Sequence, residues 1–275
     1  MVDEFITAYY GRAEGQGFDF VYSVDNTPKN DAEFKLHNHD DLYEIYLFLS
    51  GETEFHIEGN IYRAHPHDLF IARPYEMHHN VFLSSARYER IILFIDLDFF
   101  KRYDCAALEN FFLERRLGME CQIPAAIVDR EMFPLFFKMN RYLQEGAPEI
   151  ARCVLMEFLY LLNHIREPLT LPLVEDTRIQ KVLLYINGHL TENLSLDLLA
   201  DTFFINKYHL CRTFKAITGY TINQYINQKR LLAARELRRK GQSLTEASAN
   251  AGFNSYAHFY RVYKKELGVN PRARE

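Results

Sequence analysis

Hydrophobic and polar positions alternate in two different ways along this chain. From Phe18 to about Ile95 the runs are short: "EIYLFLSG", "ETEFHIEG", "DLFIARP" and "YERIILFIDL". They are rich in Ile, Phe and Tyr and are broken by Gly, Pro and Asn about every ten residues, which predicts an all-β sandwich or barrel. From 96 to 165 the period lengthens. "EMFPLFFKMNRYL" and "ARCVLMEFLYLLNHI" carry wide apolar faces, the second through Leu155, Phe158, Leu159, Leu162 and Ile165. Such faces must be buried, either on the outside of the barrel or against the same helix of a second subunit.

After "REPLTLPLVED" the pattern is helical to the end. Ile179, Val182, Leu183 and Ile186 form one face, which Gly188 ends. Ser195 caps the next helix, with Leu196, Leu199 and Ala200 inward. Next comes "YHLCRTFKAITG", with Leu210, Phe214 and Ile217 as its buried stripe and Tyr208, Cys211 and Arg212 facing out. It returns 49 residues later as "AHFYRVYKKELG", so that His209/His258, Arg212/Arg261, Lys215/Lys264 and Gly219/Gly268 correspond. Each copy follows a short helix and a turn. In the second, Gly252 is free to take positive φ, Phe259, Val262 and Tyr263 face inward, and Tyr256, Ala257, Tyr260 and Arg261 face out. This is the helix-turn-helix plan, in which the second helix enters the DNA major groove. The intervening "TINQYINQKRLLAARELRRKG" predicts a rod of roughly 30 Å, close to the ~34 Å that separates successive major grooves on one face of DNA.

Charge sharpens this division. Residues 1–176 hold 16 Lys/Arg and 30 Asp/Glu, a net of −14, whereas residues 177–275 hold 16 and 7, a net of +9. A basic domain of that size expects a polyanion partner, double-stranded DNA above all. No apolar run reaches membrane-span length, and "MVDEFITAYYGRAEG" lacks the order of a signal peptide. Cys105, Cys121, Cys153 and Cys211 show no paired spacing, so reduced thiols and a cytoplasmic location are expected.

Residues 177–275 resemble the DNA-binding domain of the AraC/XylS family of bacterial transcription regulators, through "LSLDLLADTFFINKYHLCRTFKAITGYTINQYINQKRLLAARELRRKG" and "AGFNSYAHFYRVYKKELGVNP". The resemblance implies base contacts from Tyr208, Cys211 and Arg212 in the first reading helix, and from Tyr256, Ala257, Tyr260 and Arg261 in the second. Arginine suits bidentate contact to guanine. Lys207, Lys215, Lys264 and Lys265 are expected to hold phosphates. The chain departs from the family pattern at Ala247, at Ser248 and in its "RARE" ending.

The N-terminal runs resemble the two motifs of the cupin barrel, in "HNHDDLYEIYLFLSG" and "PHDLFIARPYEMHHN". The resemblance implies His37, His39, Glu44 and His78 as ligands of one divalent metal, with Fe, Mn, Ni and Zn all suited to three imidazoles and a carboxylate. His67 replaces a motif glycine. The bland alternative is a sensor pocket without metal, lined by His37, His39, Glu44, Tyr46 and His78, with Phe48 on the same strand face. Aromatic faces and polar groups suit a sugar or glycoside, and also suit an amino acid or an aromatic acid. Tyr9, Tyr10 and Arg12 are candidates to close over the ligand. Sequence alone therefore predicts an α+β multidomain chain. Residues 1–110 form a cupin-like (jelly-roll) effector-sensing domain, 111–176 a helical dimerisation segment and linker, and 177–275 an all-α domain with two helix-turn-helix units joined by a long helix. The expected function is a non-enzymatic, sequence-specific regulator, an activator more than a repressor. Its expected partners are DNA, a small carbohydrate effector, a second copy of itself and RNA polymerase, with no membrane. The competing class is a metal-dependent cupin enzyme fused to a DNA-binding module.

Overall fold

The computed structural model describes residues 7–13, 15–26, 39, 41–74, 76–116, 118–166, 169–170, 177–218, 220–267 and 270–271. The chain divides into two compact units, Met1–Glu175 and Asp176–Glu275.

The first unit is built on two antiparallel sheets. The strands are β1 (Thr7–Ala13), β2 (Phe18–Asp25), β3 (Leu42–Ser50), β4 (Thr53–Ile57), β5 (Asn60–Arg63), β6 (Leu69–Ala72), β7 (His78–Phe82), β8 (Tyr88–Asp96) and β9 (Gln122–Ile123). The larger sheet has the order β1-β2-β8-β3-β6-β9 and the smaller β5-β4-β7. β3 sorts its side chains by the period of two. Tyr43, Ile45 and Leu47 join a core shared with helices. Tyr46 and Phe48 turn to the other face and pack with Phe55, Tyr62, Phe70 and Tyr88 between the sheets.

The helices of this unit are α1 (Phe99–Arg102), α2 (Asn110–Glu114), α3 (Ala125–Glu131), α4 (Phe133–Gln144) and α5 (Pro148–Asn163). The predicted stripe of α5 is occupied within the chain. Leu155, Phe158, Leu159 and Leu162 are fully buried, and they share one core with Phe136 and Met139 of α4 and with Phe20, Ile45 and Leu93 of the sheet. Of the two burials expected for this stripe, the one against the barrel is taken, so the stripe itself is not left for a second subunit. The sheet is already tethered to the helix by the chain, so no association entropy opposes the contact. Residues 7–13 pair with β2 as an edge strand, with Tyr10 opposite Val21 and Arg12 opposite Asp19. Their backbone is thus a sheet element rather than a loose arm.

His67 takes φ +70 where the motif glycine is replaced. Its ring stacks on Phe133 at 4.0 Å between centroids and its Nδ1 lies 2.7 Å from Asp129. These contacts hold a side chain in a backbone region that glycine normally fills.

The second unit holds α6 (Thr177–Gly188), α7 (Leu196–Thr202), α8 (Lys207–Thr218), α9 (Ile222–Arg239), α10 (Leu244–Asn250) and α11 (Tyr256–Leu267). Its helix starts are chemically marked. Ser195 Oγ accepts from the Leu198 N–H, and both Thr221 with Gln224 and Ser243 with Glu246 close capping boxes. The family departure at Ser248 is accommodated, because the buried hydroxyl donates to the Thr245 carbonyl at 2.9 Å. The "RARE" ending, Gly219 and Gly268 lie outside the described residues.

Candidate functional site

Two regions carry chemistry. The first is the pair of helices α8 and α11. Each has 12 residues, and they begin at Lys207 and Tyr256, 49 positions apart. Leu210 and Phe214 are buried on α8, as are Phe259 and Tyr263 on α11. Arg212, Lys215, Ala257, Arg261 and Lys264 are exposed, and Tyr208 is 86% exposed. Cys211 and Tyr260 are half-buried. Tyr256 is also half-buried and packs its ring against Phe259 at 5.7 Å, so it belongs partly to the core. Lys207 Nζ donates to Asp197 at 2.7 Å, tying α8 to α7. The connector α9 has 18 residues, about 27 Å of helix at 1.5 Å per residue. It also buries charge. Arg230 donates to the carbonyls of Leu190 (2.7 Å) and Glu192 (2.6 Å), fixing the loop between α6 and α7.

The second region is the interior of the β unit. Glu44 on β3 is buried, and one of its oxygens, Oε2, lies 2.9 Å from His39 Nε2 and 3.0 Å from His78 Nε2. His78 Nδ1 lies 2.8 Å from the Glu76 carbonyl. Both His78 nitrogens therefore face acceptors, which suits an imidazolium or a cation at Nε2. Burial opposes the charge on both partners. It would raise Glu44, yet His78 and His39 outweigh it and hold the carboxyl well below the usual range. It would lower His78, yet Glu44 and the Glu76 carbonyl raise it.

The donor atoms of His39, Glu44 and His78 lie within 4.8 Å of one another, so these three side chains fit a divalent cation. The carbonyl that fixes His78 Nδ1 aims its Nε2 lone pair at that position, as second-shell partners of metal-bound histidines do. The fourth candidate, His37, lies outside the described residues. Tyr46 shares the interior face with Glu44. It is buried, its ring packs on Phe55 and Phe70, and its hydroxyl pairs with that of Tyr88.

Sequence reasoning passed over Arg90. Its guanidinium donates to Ser23 Oγ (3.1 Å) and to Tyr88 Oη (3.3 Å). The signal was present in "YERIILFIDL": Tyr88, Arg90, Ile92 and Phe94 share one strand face, and arginine is a charge set among its aromatic and aliphatic positions.

A model for an AraC-like ligand binding domain matches residues 27–149, and one for a helix-turn-helix domain matches residues 199–274. Together they account for well over half of the chain. The chain belongs to the AraC family. Among its relatives, the probable transcription factor PqrA of Proteus vulgaris is 39% identical over 67 residues, 24% of this chain and 55% of that protein. The HTH-type transcriptional activator RhaS of Citrobacter koseri is 32% identical over 98 residues, 35% of each. The chain thus spans about half of the first relative and about a third of the second. Among solved structures, ToxT from Vibrio cholerae matches 97% of this chain and 96% of its own, at 15% identity and a TM-score of 0.36. This AraC-family chain has four free cysteines, and no helix among its described residues is long and apolar enough to cross a membrane.

Proposed function

We propose that this chain is an effector-responsive transcription regulator acting in the cytoplasm, an activator in mode. The observation that carries the reading is the repeated arrangement of α8 and α11. Each reading helix exposes an arginine at its sixth position, and a stiff helix of about one DNA turn joins the two units. The activator mode is supported by the similarity to RhaS, an HTH-type transcriptional activator. The partners that go with this function are double-stranded DNA, a small effector, a second copy of the chain and RNA polymerase.

Selection of sites from genomic fragments, followed by footprinting, tests the reading. Protection of two major-groove segments about one turn apart supports it, and failure to select any site with cell extract present as a source of effector removes it. Arg212→Ala and Arg261→Ala should each weaken the selected site by about 1–3 kcal/mol and relax base preference in separate half-sites. Tight, fully specific binding by both variants would mean that other residues read the bases.

The effector reading places a small carbohydrate-type molecule in the β interior. Support comes from polar groups set among rings: Glu44 with His39 and His78, and Arg90 with Tyr88 and Tyr46. Glu44→Ala should raise the effector concentration for half-response by about tenfold or more, the cost of a charged hydrogen bond, while DNA affinity without effector stays unchanged. An unaltered response rules Glu44 out of the site. The second reading, a metal-dependent enzyme fused to a DNA-binding module, is favoured by the His39–Glu44–His78 cluster alone. Metal analysis of the purified chain, with Glu44→Gln as control, measures that cluster directly.

A further inference from the structure

A cleft on the first unit lies apart from both the reading helices and the Glu44 interior. It has a volume of about 170 Å³ and is lined by Phe111, Glu114, Arg115, Glu120 and Leu169. Phe111 and Leu169 pack against the core shared with the helices, whereas Tyr46 of the interior belongs to the core between the sheets. The walls are fixed by the chain itself. The Phe111 N–H donates to Asn163 Oδ1 of α5 at 2.9 Å, and Asn163 Nδ2 donates in turn to the Leu108 carbonyl at 2.8 Å. Leu169 adjoins the sheet edge, where the Thr170 N–H donates to the Gln122 carbonyl at 3.3 Å. Arg115 forms the floor, with its side chain 2% exposed. Walls ordered in this way spare a ligand the entropy of arranging them.

The polar groups of this cleft are incompletely satisfied. Arg115 uses Nη1 on the Met119 carbonyl and Cys121, and Nη2 on Glu76. Its Nε is buried and has no hydrogen-bond partner among the described residues. Glu120 is half-buried and takes φ +56, a backbone region that side chains rarely adopt. Neither its carboxylate nor that of Glu114 makes an ion pair or hydrogen bond among the described residues. The arginines of this loop are engaged by Glu76 instead, Arg115 in direct contact and Arg73 Nε at 3.5 Å. The cleft therefore presents two anions, one N–H donor, an aromatic face and an aliphatic one. A carboxylate drawn out of water is satisfied by a cation, and a guanidinium N–H by an oxygen. Two glutamates would repel an anionic oxygen, so the fitting acceptor is a neutral one.

We propose that this cleft is a second small-molecule site, for a small organic ammonium ion that carries a hydroxyl. The ammonium sits on Glu114 and Glu120, the hydroxyl oxygen on Arg115, and the carbon skeleton on Phe111 and Leu169. The volume is the share of roughly six waters in the liquid, which suits an amino alcohol. The site goes beyond the effector reading of the interior, because it uses none of the groups assigned there. It also has a place in the chain from which it can be felt. Leu169 stands beside the segment that leads to the second unit, which begins at Asp176.

Ligand-observed NMR titration of the full chain tests this with matched sets: ethanolamine, ethylene glycol and ethylamine; propanolamine, propanediol and propylamine; tyramine, tyrosol and phenethylamine. In at least one set the hydroxylated amine should bind, and the diol or alcohol lacking the ammonium should bind at least about tenfold more weakly. The amine lacking the hydroxyl should lose about threefold to tenfold, the range of one hydrogen bond. The double variant Glu114→Gln with Glu120→Gln should lose at least about tenfold for the amine. Its unfolding midpoint should stay in place, because neither carboxylate has a partner to lose, and that confirms a folded chain. Glu44→Gln, which alters the interior site, should leave amine binding unchanged. No binding by any hydroxylated amine, equal binding by its neutral mate, or full binding by the Glu114/Glu120 double variant would overturn the proposal. Loss of amine binding in Glu44→Gln, with the double variant binding as wild type, would place the ligand in the interior instead. Site selection on DNA is scored separately, so failure there removes the regulator reading and leaves this site standing.

Discussion

Glu76→Gln is expected to destabilise the N-terminal unit by about 3–5 kcal/mol, the cost of stranding one partner of a buried ion pair. Glu76 and Arg115 are both buried, 39 residues apart in sequence, and their side chains are in direct contact. Glu76 also accepts the backbone N–H groups of Arg73 (3.0 Å) and Gly118 (2.9 Å), so one carboxylate closes two loops. Arg115 in turn donates to the Met119 carbonyl (3.0 Å) and contacts Cys121 Sγ at 2.9 Å, and burial pushes the Cys121 thiol up to about 12. Glutamine keeps the shape and one acceptor but leaves the guanidinium buried without its counter-charge. Urea denaturation of the full chain, read on the first transition, measures the loss. Adding Arg115→Met should recover part of it, because the stranded charge is then gone.

The same pair sets an acid limit. Burial would raise the Glu76 carboxyl, but Arg115 outweighs burial and depresses it. A depressed carboxylate contributes stability that is present above its unfolded value, about 4.3, and is lost as pH falls through the folded one. Wild type should lose this contribution below about pH 4, whereas Glu76→Gln should lack that component of the acid transition. A Glu76→Gln chain within 1 kcal/mol of wild type, with an unchanged acid profile, would show that the carboxylate carries no such load.

What could be read from the sequence follows the range of the forces involved. Helix starts and stops are local chemistry, and the predicted cap at Ser195 and the turn glycine at Gly252 stand in the structure. The period of two in β3 separates Tyr43, Ile45 and Leu47 from Tyr46 and Phe48, as two different cores require. Periodicity states that a face is buried but not against what. Leu155 and Phe158 form a legible stripe with two possible partners, barrel or second subunit, and the structure selects the sheet. Glu76 with Arg115, Arg90 with Ser23, and His67 with Phe133 join residues far apart in sequence, so no local window contains them. The half-burial of Tyr256 has the same origin, since outward placement by helical phase cannot see that its ring folds back on Phe259.

Gly252→Ala is expected to cost the C-terminal unit about 2–5 kcal/mol, from a left-handed backbone and from overpacking. Gly252 has φ +93, and a methyl group there would meet the Leu190 carbonyl oxygen at 2.2 Å and Thr191 Cα at 2.8 Å. Both are backbone atoms and cannot rotate away. The Leu190 carbonyl is held in place from the other side, because it accepts from Arg230 Nε at 2.7 Å. The turn of the second helix-turn-helix thus presses on the loop between α6 and α7, and a side chain there pushes on both units at once. The first turn provides the contrast. Phe204, which like Gly252 precedes a buried apolar residue, takes φ +52 and is 94% exposed. It has backbone strain to relieve and little packing to lose, so Phe204→Gly should be tolerated while Gly252→Ala is not. Hydrogen exchange across α10 and α11, together with affinity for a selected DNA site, separates the two variants. Faster exchange and weaker DNA binding are expected for Gly252→Ala alone. Equal behaviour of the two would mean that the Leu190 loop yields, and that the two helix-turn-helix units are not locked together through Arg230.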